Sequence, residues 1–308
     1  MMNRRAFLAS TAVTGLAAAA AGATTASGGA TLEVATNTYP WGTFASRDGG
    51  TFVPHSDEAL AAIASAGCAG YEPIISDVGE FEGLGARLRA HGLDMRSIYV
   101  NSILHEESAA PATIGHVLAI ARRAVGVGTR IIVTNPSPIR WGGPENKTDL
   151  QIRSQAVALD RLGRELQAIG VTLAYHNHDA ELRLGAREFH HMLTATAPAN
   201  VKFCLDAHWV FRGCGDSQVA LFDAVEHYGD RIVELHLRQS RGGVWTEVFS
   251  AEGDVDYARV SAWLQRHDVR PRLTLEQAVE SGSPKTVDSV TAHRQGLAVV
   301  RDVFKWMA

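Results

Sequence analysis

Four side chains with metal-binding chemistry, His176, Asp206, His236 and Glu276, each close a short apolar run: VTLAYH, VKFCLD, RIVELH and RLTLE. Polar groups at the ends of apolar runs are costly to bury unless something pairs with them, and a shared cation gives all four a reason to converge. Imidazole nitrogens and carboxylate oxygens without a thiolate suit one divalent metal ion, with Mn, Zn, Co and Mg all compatible. A cation bound to a carbonyl and its neighbouring hydroxyl acidifies the adjacent C–H, so that a base can remove the proton and leave an enediolate. Return of the proton to another carbon isomerises a sugar, return to the other face epimerises it, and loss of a β-oxygen is elimination.

The elements that must position these residues follow from periodicity. Short apolar runs predict strands over 33–38, 71–75, 95–100, 130–134, 171–176, 201–205, 232–236 and 273–276. Amphipathic stretches predict helices over 55–65, 79–91, 112–125, 149–169, 186–195, 218–227, 257–266 and 287–306. Eight such alternations predict an α/β chain folded as a single-domain (β/α)8 TIM barrel over 31–308, with the chemistry at the strand C-termini and in the loops after them. A doubly wound sheet would need a glycine-rich phosphate loop after an early strand, and the sequence has none there. Gly67, Gly170 and Gly229 fall where helix C-caps are expected.

Residues 1–30 read differently. Asn3-Arg4-Arg5-Ala6-Phe7-Leu8 is a twin-arginine pattern, and an alanine-rich stretch with small residues through Ala23 follows it. This predicts a twin-arginine signal peptide and a periplasmic or otherwise exported protein, with no stable membrane insertion once the leader is removed. The formal net charge of −4 becomes more negative if Arg4 and Arg5 leave with the leader, which argues against nucleic acid as a partner. Cys68, Cys204 and Cys214 show no metal-type spacing and are expected as buried thiols. A homo-oligomer is left open by the composition.

The predicted strand ends collect Asn37, Tyr39 and Trp41, then Glu72, then Tyr99 and Asn101, then Asn135, and later the segments from His176 to Glu181 and from Asp206 to Trp209. His236, Arg238 and Glu276 complete the set. The strings YHNHDAEL, LDAHWVFRG, RIVELHLRQS, Glu252-Gly253-Asp254 and TLEQ resemble the sugar phosphate isomerase/epimerase family of xylose isomerase-like barrels, and in particular its exported YHNHD-type branch. The resemblance implies one divalent metal held at His176, Asp206, His236 and Glu276 and a small carbohydrate substrate, and the predicted export points to one without phosphate.

Two departures from the family pattern bear on the reaction. His176 stands where many members have Glu, and Trp209 stands where many have His, with His208 one step earlier. Both weaken simple two-carboxylate epimerisation, so β-elimination of a 3-keto-glycoside is the alternative to isomerase/epimerase chemistry. A metal-dependent endonuclease or a sugar-binding barrel without turnover is less favoured. Glu276 is expected as ligand and base, and His178 either as the second proton-transfer group or as a group orienting a ligand. Trp41, Glu72, Asn101, Asn135, Glu181, His208 and Arg238 are expected to contact substrate, each with a packing or turn role as the rival reading.

Overall fold

The computed structural model describes residues 31–308, so the predicted signal peptide at 1–30 lies outside the described residues. Eight parallel strands run in the order β2 (Gly70–Glu72), β1 (Val34–Asn37), β10 (Arg272–Leu275), β7 (Ile232–Leu237), β6 (Val201–Asp206), β5 (Thr172–His176), β4 (Ile131–Thr134), β3 (Ser97–Tyr99). Parallel bridges from Gly70 to Asp94 and from Ile74 to Tyr99 span the remaining seam between β2 and β3, giving a nearly closed barrel. Pro73 interrupts the ladder there because it has no N–H to donate, yet its carbonyl still accepts from Tyr99 N at 2.8 Å.

Among the described residues ten α-helices cover the barrel: α1 (Thr38–Arg47), α2 (Asp57–Ala66), α3 (Leu84–Ala90), α4 (Ala110–Val125), α5 (Asp149–Gln167), α6 (Arg183–Thr194), α7 (Ala207–Gly213), α8 (Gln218–Tyr228), α9 (Tyr257–Arg266) and α10 (Ser289–Val303). A short antiparallel ribbon, β8 (Ser240–Arg241) with β9 (Val244–Trp245), rises from the end of β7. The main apolar core lies between the strands and the helices, while Tyr99, Val133, Ala174 and Cys204 form a smaller cluster of strand residues. Side chains alternate along a strand, so Cys204 and Asp206 share a face, as do Glu234 and His236, Ala174 and His176, and Thr274 and Glu276. Asp206 pairs with His236 across β6 and β7, which places two of the four chemical side chains side by side.

The expected alternation is present, with differences: helix α7 and the β8–β9 ribbon are additions to the predicted elements, and three other points depart from them. Helix α1 follows β1 directly: Asn37 Oδ1 accepts from Tyr39 N at 3.2 Å and caps it. The stretch predicted as one helix over 79–91 breaks at Gly83, whose φ of 68° ends the short turn Val78–Phe81 and starts α3. Gly67 (φ 92°) and Gly170 (φ 74°) adopt the left-handed conformation expected after a helix, but Gly229 has φ −56°. Gly229 is required by space instead, because a Cβ there would collide with the Trp263 ring.

Candidate metal centre

One ligand atom from each of His176, Asp206, His236 and Glu276 lies within 4.8 Å of every other, and all four side chains are buried. His176 Nε2 stands 4.0 Å from Asp206 Oδ2, and His236 Nδ1 stands 3.3 Å from Glu276 Oε2. Local structure fixes these positions. Asp206 ends β6 and caps α7, so its Oδ1 is taken by Trp209 N at 2.9 Å and its Oδ2 is left free. Asn177 braces the same strand end, accepting from Asp206 N and donating to Asp206 O, each at 3.1 Å. Asn135 Nδ2 donates to the His176 carbonyl at 3.1 Å.

The orphaned atoms test whether a cation fits. Both ring nitrogens of His176, Asp206 Oδ2 and His236 Nδ1 are buried without a hydrogen-bond partner, and Glu276 Oε2 meets Arg238 Nη2 at 2.9 Å. Buried polar atoms are nearly always satisfied, and here several of the exceptions fall together at one point. Two imidazoles and two carboxylates in that arrangement match a divalent cation site.

Burial dominates the electrostatics. It lifts Asp206 to about 7, against the pull of Arg238. Burial would also raise Glu276, but Arg238 and His236 together hold it well below the usual carboxylate range. The Arg238 contact is direct, Nη2 to Glu276 Oε2 at 2.9 Å. Burial, with His178 and His236 nearby, keeps His176 neutral, and burial presses His178 down to about 4. Neutral His176 therefore offers a lone pair, the form a metal ligand requires; burial would lower His236 too, but Cys204, Glu72 and Glu276 raise it well above the usual imidazole range, so a cation there must displace its proton.

Above the quartet opens a cavity of about 420 Å³ whose walls include Tyr39, Tyr99, Asn101, Trp141, His178, Trp209, Arg238 and Glu276. Arg238 lies among three aromatic rings, with its guanidinium carbon 4.3 Å from the Trp245 centroid, 5.0 Å from Trp209 and 5.5 Å from Tyr39. Trp141 meets His178 edge to face at 5.1 Å. A separate groove between α4 and α5, about 470 Å³, contains Glu107, Arg153 and Arg161 but no comparable cluster of buried ligand atoms.

The structure sorts the expected substrate contacts. Asn101 and Arg238 line the cavity, with Glu276 and His178. Trp41 does not: it is buried, donates to Thr36 Oγ1 at 3.2 Å and stacks on His293 of α10 at 4.2 Å, because α1 turns its ring outward from the barrel axis. Glu72 lies fully buried below the quartet, 3.1 Å from His236 Nε2. Asn135 and Glu181 serve the backbone instead, Asn135 at the His176 carbonyl and Glu181 accepting from His178 N at 2.7 Å. His208 bonds Ser240 Oγ at 2.9 Å, which in turn donates to Asp254, so His208 and Asp254 brace the β8–β9 ribbon. Burial and two arginines push His208 down to about 2. Its neighbour Trp209 reaches the cavity because adjacent helical residues point about 100° apart. Cys68 and Cys204 are buried thiols as expected, and Cys214 is half-buried.

A family model described as xylose isomerase-like TIM barrel matches residues 60–303. Among solved structures, a sugar phosphate isomerase/epimerase from Parabacteroides distasonis superposes with a TM-score of 0.66 at 18% identity, covering 88% of this chain and 94% of that one. The 3-keto-D-glucoside 4-epimerase of E. coli gives 0.62 at 15% identity, covering 88% and 99%. The D-allulose 3-epimerase from Methylomonas sp. in complex with D-allulose gives 0.64 at 16%, covering 88% and 97%. At these identities the likeness is one of fold. No curated protein matches the sequence significantly.

Proposed function

The chain belongs to the xylose isomerase-like TIM barrel family, and from that premise we propose that it is a divalent-metal-dependent isomerase or epimerase acting on a small, non-phosphorylated carbohydrate. The observation that carries this reading is the convergence of buried ligand atoms from His176, Asp206, His236 and Glu276, with Glu276 also lining an open cavity. A cation held there would polarise a bound carbonyl and acidify the neighbouring C–H.

The remaining work falls to the chain itself. Glu276, kept anionic by Arg238, is placed to take the proton. The proton that Glu276 takes is then Glu276's to return, while His178, neutral and on the cavity wall, has a lone pair to accept a proton and an N–H to hydrogen-bond a substrate or leaving oxygen. The aromatic walls present flat apolar faces to a sugar ring. Arg238 is the one cationic side chain lining the cavity, and one of its nitrogens is already committed to Glu276. A phosphate dianion would find little more charge there, which supports a substrate without phosphate.

A second reading, β-elimination of a 3-keto-glycoside, is favoured by the histidine where a second carboxylate would be needed for two-base epimerisation. Besides Glu276 the only carboxylate on the wall is Asp179, which is half exposed and 3.4 Å from Arg183. The twin-arginine sequence supports a periplasmic setting, where free or oxidised saccharides are the available sugars. The test is incubation of the metal-loaded protein with free ketoses and with 3-keto-glycosides in deuterated water, followed by NMR. Deuterium entering an intact sugar supports isomerisation or epimerisation, and release of the aglycone supports elimination. A fully loaded protein that does neither overturns the proposal.

A further inference from the structure

The metal reading, on which this inference rests, leaves one buried carboxylate unexplained. Glu72 ends β2 inside the barrel, fully buried, and both of its oxygens, like His236 Nε2, are without a hydrogen-bond partner. Its Oε1 stands 3.1 Å from His236 Nε2, while the other ring nitrogen, Nδ1, faces Glu276 Oε2 at 3.3 Å. We propose that Glu72 is a positioning residue: it accepts the Nε2–H of His236, and so turns the Nδ1 lone pair into the metal site.

An imidazole that binds a metal through one nitrogen almost always donates its other N–H to a carboxylate, carbonyl or water, which fixes both the tautomer and the ring orientation. Below His236 two carboxylates compete for that part. Glu234 is already committed, because its Oε1 accepts from Ser97 Oγ at 2.9 Å and from Thr274 Oγ1 at 2.7 Å. Those bonds pin Glu234 to the strands beside it and leave Glu72 to meet the ring. Glu72, Glu234 and His236 also come close enough to resemble a cation site of their own. Chemistry argues against that role, since a neutral imidazole has one lone pair and His236 offers it to the upper quartet. Serving two cations at once would require it to lose both ring protons.

The test uses the full protein with Glu72→Leu and Glu72→Gln; glutamine keeps an acceptor oxygen, and leucine does not. In the metal-free protein, the His236 Nε2–H correlation in a 15N-histidine NMR spectrum is expected to be present in the wild type and in Glu72→Gln, and to be lost in Glu72→Leu. Competition titration with zinc is expected to show affinity about 10- to 100-fold lower in Glu72→Leu, with recovery of most of it in Glu72→Gln. Unchanged affinity in a folded Glu72→Leu protein overturns the proposal, as does the absence of the Nε2–H signal from the wild type. Binding of two zinc ions by the wild type, one of them lost in Glu72→Leu, overturns it too by making Glu72 a ligand. A wild type that takes up no metal sinks the proposed function instead, and the metal-free N–H signal then still decides whether Glu72 holds His236.

Discussion

Replacing Arg238 with Met keeps much of the side chain's volume and removes its charge. The guanidinium Nη2 lies 2.9 Å from Glu276 Oε2, Nε donates to the Glu276 carbonyl at 3.2 Å, and both residues are buried. Truncating one partner of a buried ion pair costs roughly 3–5 kcal/mol, and a Coulomb estimate at an effective dielectric of about 20 gives ~4–6 kcal/mol for charges about 3–4 Å apart. Denaturant unfolding in chelator should therefore show Arg238→Met less stable by about 4 kcal/mol. With saturating zinc or manganese a cation at the quartet replaces the lost counter-charge on Glu276. The deficit should then shrink toward the ~1 kcal/mol of the Nε hydrogen bond. A double-mutant cycle with Glu276→Gln should show most of the metal-free loss as coupling between the two residues. A loss under about 1 kcal/mol in chelator, or an equal loss with and without metal, would refute this reasoning.

Away from the site, burial lowers His293 to about 4, so the folded state resists a proton that the unfolded chain accepts near 6.5. Its contribution is complete above pH 6.5 and is lost as the pH falls toward 4. His293→Gln should flatten the stability–pH slope across that window by close to one proton, measured by unfolding at several pH values, and an unchanged slope would count against the buried neutral ring. Gly163→Ala should destabilise by about 1–3 kcal/mol, since its Cβ would meet the Asn200 carbonyl under α5; a neutral result in thermal unfolding would contradict that packing. Trp141→Ala should raise KM several-fold with little change in kcat, because Trp141 forms cavity wall beside His178; an unchanged KM would remove it from the substrate site.

The barrel was legible because its strands are short apolar runs at regular intervals, and the quartet because each member closes one of them. Helix α1 was not, since Pro40 and Gly42 lie inside it and weaken its helical signal. Its omission carried Trp41 onto the substrate side, where the helix phase turns the ring toward His293 instead. Glu72 looked like a cavity residue from its place at a strand end, but its side chain is buried inside the barrel and faces His236. The bonds of Asn177 to the Asp206 backbone and of His208 to Ser240 join residues about thirty positions apart, and no local spacing encodes them. Trp209 and Trp141 reach the cavity through the orientation of a helix and of a loop, which the barrel assembles only once closed.

The central claim is that His176, Asp206, His236 and Glu276 hold one divalent cation. Elemental analysis of the purified protein, stripped with chelator and reloaded, addresses it directly when run beside Asp206→Ala and His236→Ala. One ion per chain in the wild type and almost none in either variant is the result predicted. No bound ion in the wild type, or full metal content in both variants, would contradict it.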